Sequence, residues 1–232
     1  MRSWQVELLK FLAEREGLLF GEFKLKSGRL SPYFFNLAKI ISDGEGILKV
    51  SDFYVKGICD LIGGAKFNFI IGPAYEAIPL AAAISMLLYQ KNNISVRWGY
   101  DRKEEKKYGV SAEKWFVGDL RRGDRILLVD DVATTGKTKI DLINKLKEGF
   151  ADLYLKFQGV LILLDREELD DSGKYAGSIL SECGVQLHSL LKVSEVFDYL
   201  RNREVDGRIL VSEREYNLFS EYQERYGSSS RR

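Results

Sequence analysis

Short apolar runs alternate along this chain with segments of helical periodicity. A short continuous apolar run that leads into a helix is typical of a parallel strand covered on both faces. The predicted strands are 67–71 (FNFII), 94–100 (ISVRWGY), 125–129 (RILLV), 159–164 (GVLILL) and 185–191 (VQLHSLL). This alternation predicts an α/β protein whose mostly parallel sheet has five strands flanked by helices.

The chain starts with a helical pattern, MRSWQVELLKFLAEREG, in which charges are spread throughout. The apolar face of this pattern consists of Trp4, Leu8, Phe11 and Leu12. The stretch therefore predicts an amphipathic helix and not a signal peptide. No segment reaches the roughly 18 consecutive apolar residues that a membrane span needs, so we expect no membrane partner. The other predicted helices start near 77, after 136, and cover 175–183 and 193–200.

Two segments interrupt the alternation of strands and helices. Residues 20–42 contain turn signals at SG and SP, and we expect them to belong to a small N-terminal lobe of about residues 1–45. Residues 101–118, DRKEEKKYGVSAEKWFVG, join two strands without a helical period. A connection of that length is usually functional or disordered. We expect one domain over 1–232, with a disordered tail at 227–232.

The composition is that of an ordinary globular protein, with 45% apolar and 30% charged residues. The formal net charge of +1 gives no overall field that favours nucleic acid, so no nucleic-acid partner is expected. The two cysteines, Cys59 and Cys183, are too few for a disulfide framework, which fits a reduced cytoplasmic protein. Both lie in apolar helical patterns, and we expect them to be inert core thiols.

The sharpest chemical signal is ILLVDDVATTGKT, at 126–138. A buried strand ends in Asp130 and Asp131, and a loop of small residues and threonines then enters a helix. The helix N-terminus and its free N–H groups suit phosphate, and the two carboxylates suit hydroxyl groups. The motif therefore predicts a site for a ribose phosphate. It is not a P-loop, because Asp131 stands where that motif requires its first glycine. The plainer alternative is an acid-capped turn before a helix.

This string resembles the phosphoribosyl pyrophosphate (PRPP) signature of class I phosphoribosyltransferases. The resemblance implies that Asp130 and Asp131 face the ribose hydroxyls. It implies a 5′-phosphate loop made of Ala133, Thr134, Thr135, Gly136, Lys137 and Thr138, with Val132 included among the PRPP contacts.

A second segment, FKLKSGRLSPYFFN at 23–36, resembles the N-terminal segment of orotate phosphoribosyltransferases. By this likeness Lys26 contacts PRPP, and Phe34 and Phe35 line the orotate site together with Thr134. Aromatic faces can stack on a flat pyrimidine. From composition alone, the two phenylalanines are equally well explained as core residues. The family resemblance also implies a lobe that lies over the active site.

Two strand-end segments resemble the same family. GPAYEAIP, 72–79, resembles the loop that cradles pyrophosphate, which implies PRPP contacts for Tyr75 and Glu76. An acid there repels phosphate unless it faces away or meets Mg²⁺. LLDREE, 163–168, resembles the strand end whose arginine pairs with the orotate carboxylate, here Arg166. The alternative for Arg166 is an ordinary surface pair with Glu167 or Glu168.

The charged segment RKEEKKYG, 102–109, resembles the family's catalytic loop. The likeness implies PRPP contacts for Arg102, Lys103, Lys106 and Tyr108. It assigns catalysis to Lys106, Arg102, Lys103 and Asp131. It also implies a homodimer whose subunits share the loop 102–118, and Mg²⁺ held mainly by PRPP, with Asp130 and Asp131 in reach through water. His188, within a predicted strand, is expected to be structural.

The whole resemblance implies an enzyme that joins orotate to the ribose of PRPP in pyrimidine (UMP) synthesis. Two alternatives remain open at this point. One is a phosphoribosyltransferase for another base, such as a purine. The other is a non-catalytic regulator that uses the same fold to sense nucleotide or bind nucleic acid.

Overall fold

The computed structural model describes residues 1–25, 28–63, 66–104, 115–133, 136–205 and 207–228. The α-helices are α1 (Ser3–Glu14), α2 (Leu37–Ile40), α3 (Gly44–Gly57), α4 (Ala77–Asn92), α5 (Lys137–Gly149), α6 (Ala176–Glu182), α7 (Val193–Leu200) and α8 (Glu213–Tyr226). The strands are β1 (Leu18–Lys24), β2 (Leu30–Phe35), β3 (Phe69–Ile71), β4 (Arg97–Asp101), β5 (Phe116–Val117), β6 (Arg125–Ala133), β7 (Lys156–Asp165), β8 (Leu187–Lys192), β9 (Glu204–Val205) and β10 (Arg208–Ile209).

Within the described residues, the central sheet has six strands in the order β5-β4-β3-β6-β7-β8. All neighbouring strands run parallel except β4 and β5, which are antiparallel. The predicted α/β architecture is confirmed, and the five predicted strands are present as β3, β4, β6, β7 and β8. The predicted number of five is wrong by one. The additional strand, β5, has only two residues and lies in the charged segment 101–118, where no apolar run marks it.

Apolar side chains cover both faces of the central strands, which is why these strands appear in the sequence as continuous apolar runs. In β6, Ile126 and Leu128 belong to a core layer with α5 and α6. Leu127 and Val129 point to the opposite layer, which contains α1, α3, α4, α7 and α8. The sheet is thus a central layer between two layers of helices, as α/β proteins require.

The N-terminal segment forms a hairpin of β1 and β2 that is separate from the central sheet. It packs against the C-terminal helices through aromatic rings: Phe20 lies edge-on to Phe197 at 5.3 Å, and Tyr33 is 6.0 Å from the same ring. Phe197 of α7 stacks in turn on Phe219 of α8 at 3.9 Å. α1 packs into the main core, where Leu8 and Leu12 are fully buried.

The order of strands reverses between β3 and β6, because β4 lies on one side of β3 and β6 on the other. At such a switch point the loops after the two neighbouring strands turn apart, and they leave a crevice at the carboxyl edge of the sheet. Those two loops begin after Ile71 and after Ala133. Both loops were predicted from the sequence to bind phosphate, and the strand order places them side by side.

Two expectations about individual residues change with the structure. Cys59 and Cys183 are both exposed, so the prediction of two core thiols is wrong. Cys59 lies in a π-helical turn after α3, and Cys183 follows the last residue of α6, where the apolar helical pattern no longer faces the core. Gly227 of the expected tail bridges to Glu168, and the Ser228 N–H donates to the Glu167 carbonyl at 2.7 Å. Residues 229–232 lie outside the described residues.

Among the described glycines at the crevice, Gly72 has the least room for a side chain. A Cβ placed there would lie 2.1 Å from the carbonyl oxygen of Ala77, a backbone atom that cannot turn away. We predict that Gly72→Ala destabilises the chain by about 1–3 kcal/mol, as overpacking usually does, and lowers activity by displacing the loop. Thermal unfolding measures the loss. Gly44→Ala is the control, since nothing lies within 4 Å of that position. Equal melting temperatures for both variants would contradict the prediction.

Candidate active site

A cavity of about 610 Å³ opens between the β1–β2 hairpin and the carboxyl edge of the central sheet. The volume is that of a typical small-molecule site. Its lining residues are Lys24, Leu25, Arg29, Phe34, Phe35, Asn36, Leu37, Glu76, Asp131, Arg166, Glu168, Leu169, Asp170 and Asp171. The structure thus brings together five residues that the sequence predicted for the site: Phe34, Phe35, Glu76, Asp131 and Arg166.

The two acids at the end of β6 have different surroundings. Both oxygens of Asp130 are engaged: Oδ1 accepts from the Asp131 N–H at 3.0 Å, and Oδ2 accepts from Lys139 Nζ at 2.6 Å. Tyr54 also donates to the Asp130 carbonyl at 2.6 Å. Asp131 lines the cavity, and its Oδ1 accepts from the Val132 N–H at 2.6 Å. Asp130 is therefore braced from inside the protein, whereas Asp131 faces the cavity.

Burial of Asp131 raises the pKa of its carboxyl to about 6, and the neighbouring charge of Asp130 acts in the same direction. The Val132 N–H and the Lys139 ammonium lower the pKa in part, and Glu76 raises it again. An acid in this state suits a site that receives hydroxyl groups, because a ligand hydroxyl that donates to the carboxylate restores the lost solvation.

Arg166 lines the cavity and is nearly buried, with 9% of its surface exposed. Its Nε donates to Glu168 Oε1 at 2.9 Å, and the same oxygen accepts from the Tyr33 hydroxyl at 3.0 Å. The guanidinium carbon lies 5.0 Å above the Tyr33 ring. The alternative expectation for Arg166 was a surface pair with Glu167 or Glu168. Glu168 is indeed its partner, but the pair does not lie at the surface. The pair is buried, and Arg166 still reaches the cavity.

The C-terminal helix holds the segment that carries Arg166. Gln223 of α8 donates to the Arg166 carbonyl at 3.3 Å, and the Leu169 N–H donates to the Tyr226 carbonyl at 2.8 Å. α8 itself starts at a capping box formed by Ser212 and Glu215. The C-terminal stretch, the least informative part of the sequence, is therefore a support of the candidate site.

The loop after β3 presents side chains on the opposite side of the cavity. Its Ala74 N–H donates to Asp101 Oδ1 at 2.8 Å, which ties the loop to the end of β4. Tyr75 is 66% exposed, and Glu76 lines the cavity near Asp131. Glu76 therefore faces the site. An acid that avoids phosphate would face away from it.

The charged loop leaves the sheet beside this point. The Arg102 N–H donates to the Trp115 carbonyl at 2.6 Å, so the two ends of the loop are joined next to β4 and β5. Lys103 is exposed. Arg102 Nε is buried and has no hydrogen-bond partner among the described residues. Lys106 and Tyr108 lie outside the described residues.

The predicted phosphate loop is described in part. Val132 and Ala133 end β6, and Gly136 precedes α5 with a φ of +69°, a left-handed conformation that glycine adopts without strain. Lys137 and Thr138 are exposed in the first turn of α5. Thr134, Thr135 and Lys26 lie outside the described residues. His188 is a residue of β8, and burial lowers its pKa.

Sequence reasoning missed several residues that line the cavity. Arg29 bridges the hairpin to the segment after β7: it donates to Asp171 Oδ1 at 2.8 Å and to the Leu169 carbonyl at 3.3 Å. Lys24 and Arg29 both belong to the segment 23–36, whose concentration of cations was the available signal. Glu168 was expected only as a surface partner of Arg166, and its burial beside Tyr33, which is distant in the chain, had no such signal.

The fold and this site define the class of protein. The family model described as "Phosphoribosyl transferase domain" matches residues 38–151, which include the loop after β3, the charged loop and the strand-acid-acid motif.

Similarity to individual proteins extends over nearly the whole chain. The orotate phosphoribosyltransferase of Agathobacter rectalis is 33% identical over 98% of this chain and 99% of its own length, and that of Methylococcus capsulatus is 35% identical over 99% and 100%. The crystal structure of orotate phosphoribosyltransferase from Francisella tularensis superposes with a TM-score of 0.78 at 32% identity, covering 96% of this chain and all of that one. The chain belongs to the orotate phosphoribosyltransferase family.

The raised pKa of Asp131 makes a prediction about stability. Because the pKa is about 6 in the folded chain and 3.8 in a free carboxyl, the ionised folded state is penalised. The penalty is absent below about pH 4, grows through pH 6 and is complete above it. We therefore predict that Asp131→Asn raises the free energy of unfolding at pH 8 by on the order of 2–3 kcal/mol and leaves it nearly unchanged at pH 4.

Urea unfolding of both proteins at the two pH values measures this difference. Asp141→Asn, which removes an exposed carboxyl from α5, is the matched control. A stabilisation of Asp131→Asn that is the same at both pH values would contradict the assignment.

Proposed function

We propose that this chain transfers the phosphoribosyl group of PRPP to N1 of orotate, giving orotidine monophosphate and pyrophosphate, in the synthesis of UMP. One observation supports this most directly. A single cavity is lined by Arg166, by two phenylalanines and by Asp131 of the ribose-phosphate motif. Orotate offers a carboxylate for the arginine, a flat ring for the phenylalanines and a nitrogen that must meet the ribose.

Arg166 is the residue proposed to recognise the orotate carboxylate. Glu168 Oε1 lies 2.9 Å from its Nε and 2.7 Å from its buried Nη2, which leaves Nη1 as the nitrogen proposed to meet the ligand. A guanidinium held in this way is pre-organised for a planar carboxylate. Phe34 and Phe35 supply aromatic faces for the pyrimidine, and the Phe34 ring is supported by Phe23 at 5.7 Å.

The ribose and its phosphates belong to the switch-point crevice. Asp130 and Asp131 accept from the ribose hydroxyls, and the loop 133–138 binds the 5′-phosphate. When the bond between C1 and the pyrophosphate oxygen breaks, positive charge develops on the ribose and negative charge on pyrophosphate. Arg102, Lys103 and Lys106 stabilise the departing pyrophosphate, and Lys106 is also our candidate for proton donation to it. N1 of orotate then bonds to C1 from the opposite face and its proton is released to solvent, while pyrophosphate keeps the electron pair of the broken C1–oxygen bond, so no protein nucleophile is needed.

The acids at the cavity also fit a divalent cation that is carried in with PRPP. Glu76 and Asp131 line the cavity, and Asp130 lies next to them. Among the described residues no group of three or more His, Cys, Asp or Glu side chains could hold a metal by itself. We therefore propose that Mg²⁺ is held mainly by PRPP oxygens, with Asp130 and Asp131 in contact through water. Bound there, Mg²⁺ would neutralise charge on pyrophosphate.

We also propose that two copies of the chain form a homodimer and share the loop 102–118. The exposed apolar side chains of Met86 and Tyr89 on α4, and of Trp98 on β4, support a partner surface on this side of the molecule. No helix in the described part of the chain is both long and apolar enough to cross a membrane. A cytoplasmic location is the expectation that goes with this metabolic role.

The loss of orotate absorbance in the presence of PRPP and Mg²⁺ tests the proposed function. Hypoxanthine, adenine and uracil serve as parallel bases. We expect turnover with orotate alone. Turnover with another base would keep the PRPP site and overturn the roles of Arg166 and the phenylalanines. PRPP binding without turnover of any base would favour the regulatory alternative.

A change of Arg166 to lysine separates base recognition from PRPP binding. Lysine keeps the charge but lacks the planar fork, so we predict that Arg166→Lys raises the KM for orotate at least about tenfold. The KM for PRPP should change less than about twofold, since Arg166 is assigned no contact with it. Steady-state kinetics with each substrate varied in turn measures both constants. Arg214→Lys, at an exposed surface pair, is the control. An unchanged KM for orotate would refute the assignment.

A further inference from the structure

Lys139 is a buried lysine in the first turn of α5, with 5% of its surface exposed. It is the single buried lysine in the described part of the chain. Both its burial and its position are unfavourable for a cation, since lysine is rarely buried and the N-terminus of a helix carries partial positive charge. A specific set of partners must offset these costs.

Those partners are atoms of the strand end that carries the two acids. Lys139 Nζ donates to Asp130 Oδ2 at 2.6 Å and to the Val132 carbonyl at 2.8 Å. The ammonium therefore ties the start of α5 to both ends of the Asp130–Val132 segment. Because the loop that precedes α5 is the proposed phosphate loop, the contact crosses the base of that loop.

The contacts of Lys139 determine the direction of the Asp130 carboxylate. One of its oxygens is held by the Asp131 N–H and the other by the ammonium, while Tyr54 fixes its carbonyl. A carboxylate has about four acceptor positions, so two protein donors leave capacity for ligand hydroxyls. Without Lys139, the Asp130 side chain would keep only the Asp131 N–H of the two contacts that set its torsion angle.

Lys139 also offsets charge. Glu76, Asp130 and Asp131 bring three carboxylates to one side of the crevice, and PRPP adds the charges of its phosphates. Like charges that share a partly buried site repel one another. The Lys139 ammonium lies against Asp130, where it reduces the repulsion that an entering phosphate meets.

We infer that Lys139 is a positioning residue of the PRPP site, which acts through Asp130 to orient the ribose-binding acids and to offset their charge. The inference rests on the proposed function for the identity of the ligand. It assigns Lys139 no contact with PRPP, orotate or the reacting atoms.

A double-mutant cycle tests this inference. Lys139→Met is made in the unaltered chain and in Asp130→Asn, and KM and kcat are measured with PRPP and with orotate varied. In the unaltered chain we expect the KM for PRPP to rise at least about tenfold and the KM for orotate to change less than about twofold. In the Asp130→Asn background we expect Lys139→Met to change the KM for PRPP less than about twofold. Lys139→Arg should restore part of the loss, since it keeps the charge. Lys145→Met, an exposed position of the same helix, should behave as the unaltered chain.

Two outcomes would overturn the inference: a KM for PRPP within about twofold of the unaltered value, or an equal rise in both backgrounds. If Lys139→Met fails to fold, the Asp130→Asn/Lys139→Met protein has no unpaired buried charge and is compared with Asp130→Asn alone. Turnover of orotate by the unaltered chain tests the proposed function separately. If that turnover is absent, calorimetric titration with PRPP and Mg²⁺ still tests Lys139, with weaker binding by Lys139→Met expected and equal binding counting against it.

Discussion

β6 lies between β3 and β7, and apolar side chains cover both of its faces up to Val129. The next residue is charged, so the strand passes from a dry core to a polar crevice within one step along the backbone. Parallel pairing with β3 places this step beside the loop that follows Ile71. Each part of the proposed PRPP site depends on that register: a shift of β6 by one residue would move Asp131 to the other face of the sheet.

The two acids at the end of β6 belong to one sequence motif but have different surroundings. Asp130 is engaged by the backbone and by Lys139, and Asp131 is left to face the cavity with a raised pKa. Arg166 and Glu168 repeat the arrangement at the next strand, where the glutamate holds the arginine and the arginine faces the cavity. At both strand ends a buried charged partner orients the side chain that is proposed to meet the ligand.

Local signals were sufficient to predict the layers of the fold and part of the site. The apolar runs predicted the five longer strands of the sheet, and the strand-acid-acid-loop motif located the switch-point crevice. β5 could not be predicted, because two residues carry no periodicity. The exposure of Cys59 depends on a π-helical turn that shifts the register of the helix face. The burial of Glu168 depends on Tyr33, and that of Lys139 on Asp130, and such pairings across elements leave no trace in spacing.

The support that α8 gives to Arg166 has a consequence for the order in which the site is completed during synthesis. The crevice at β3 and β6 uses residues up to the start of α5, whereas the base pocket needs Gln223 and Tyr226 near the end of the described chain. Because a chain leaves the ribosome from its N-terminus, the phosphate half can assemble while the base half still lacks its brace. The contacts of Gln223 and Tyr226 with the Arg166–Leu169 segment are therefore among the last of the candidate site that a growing chain can form.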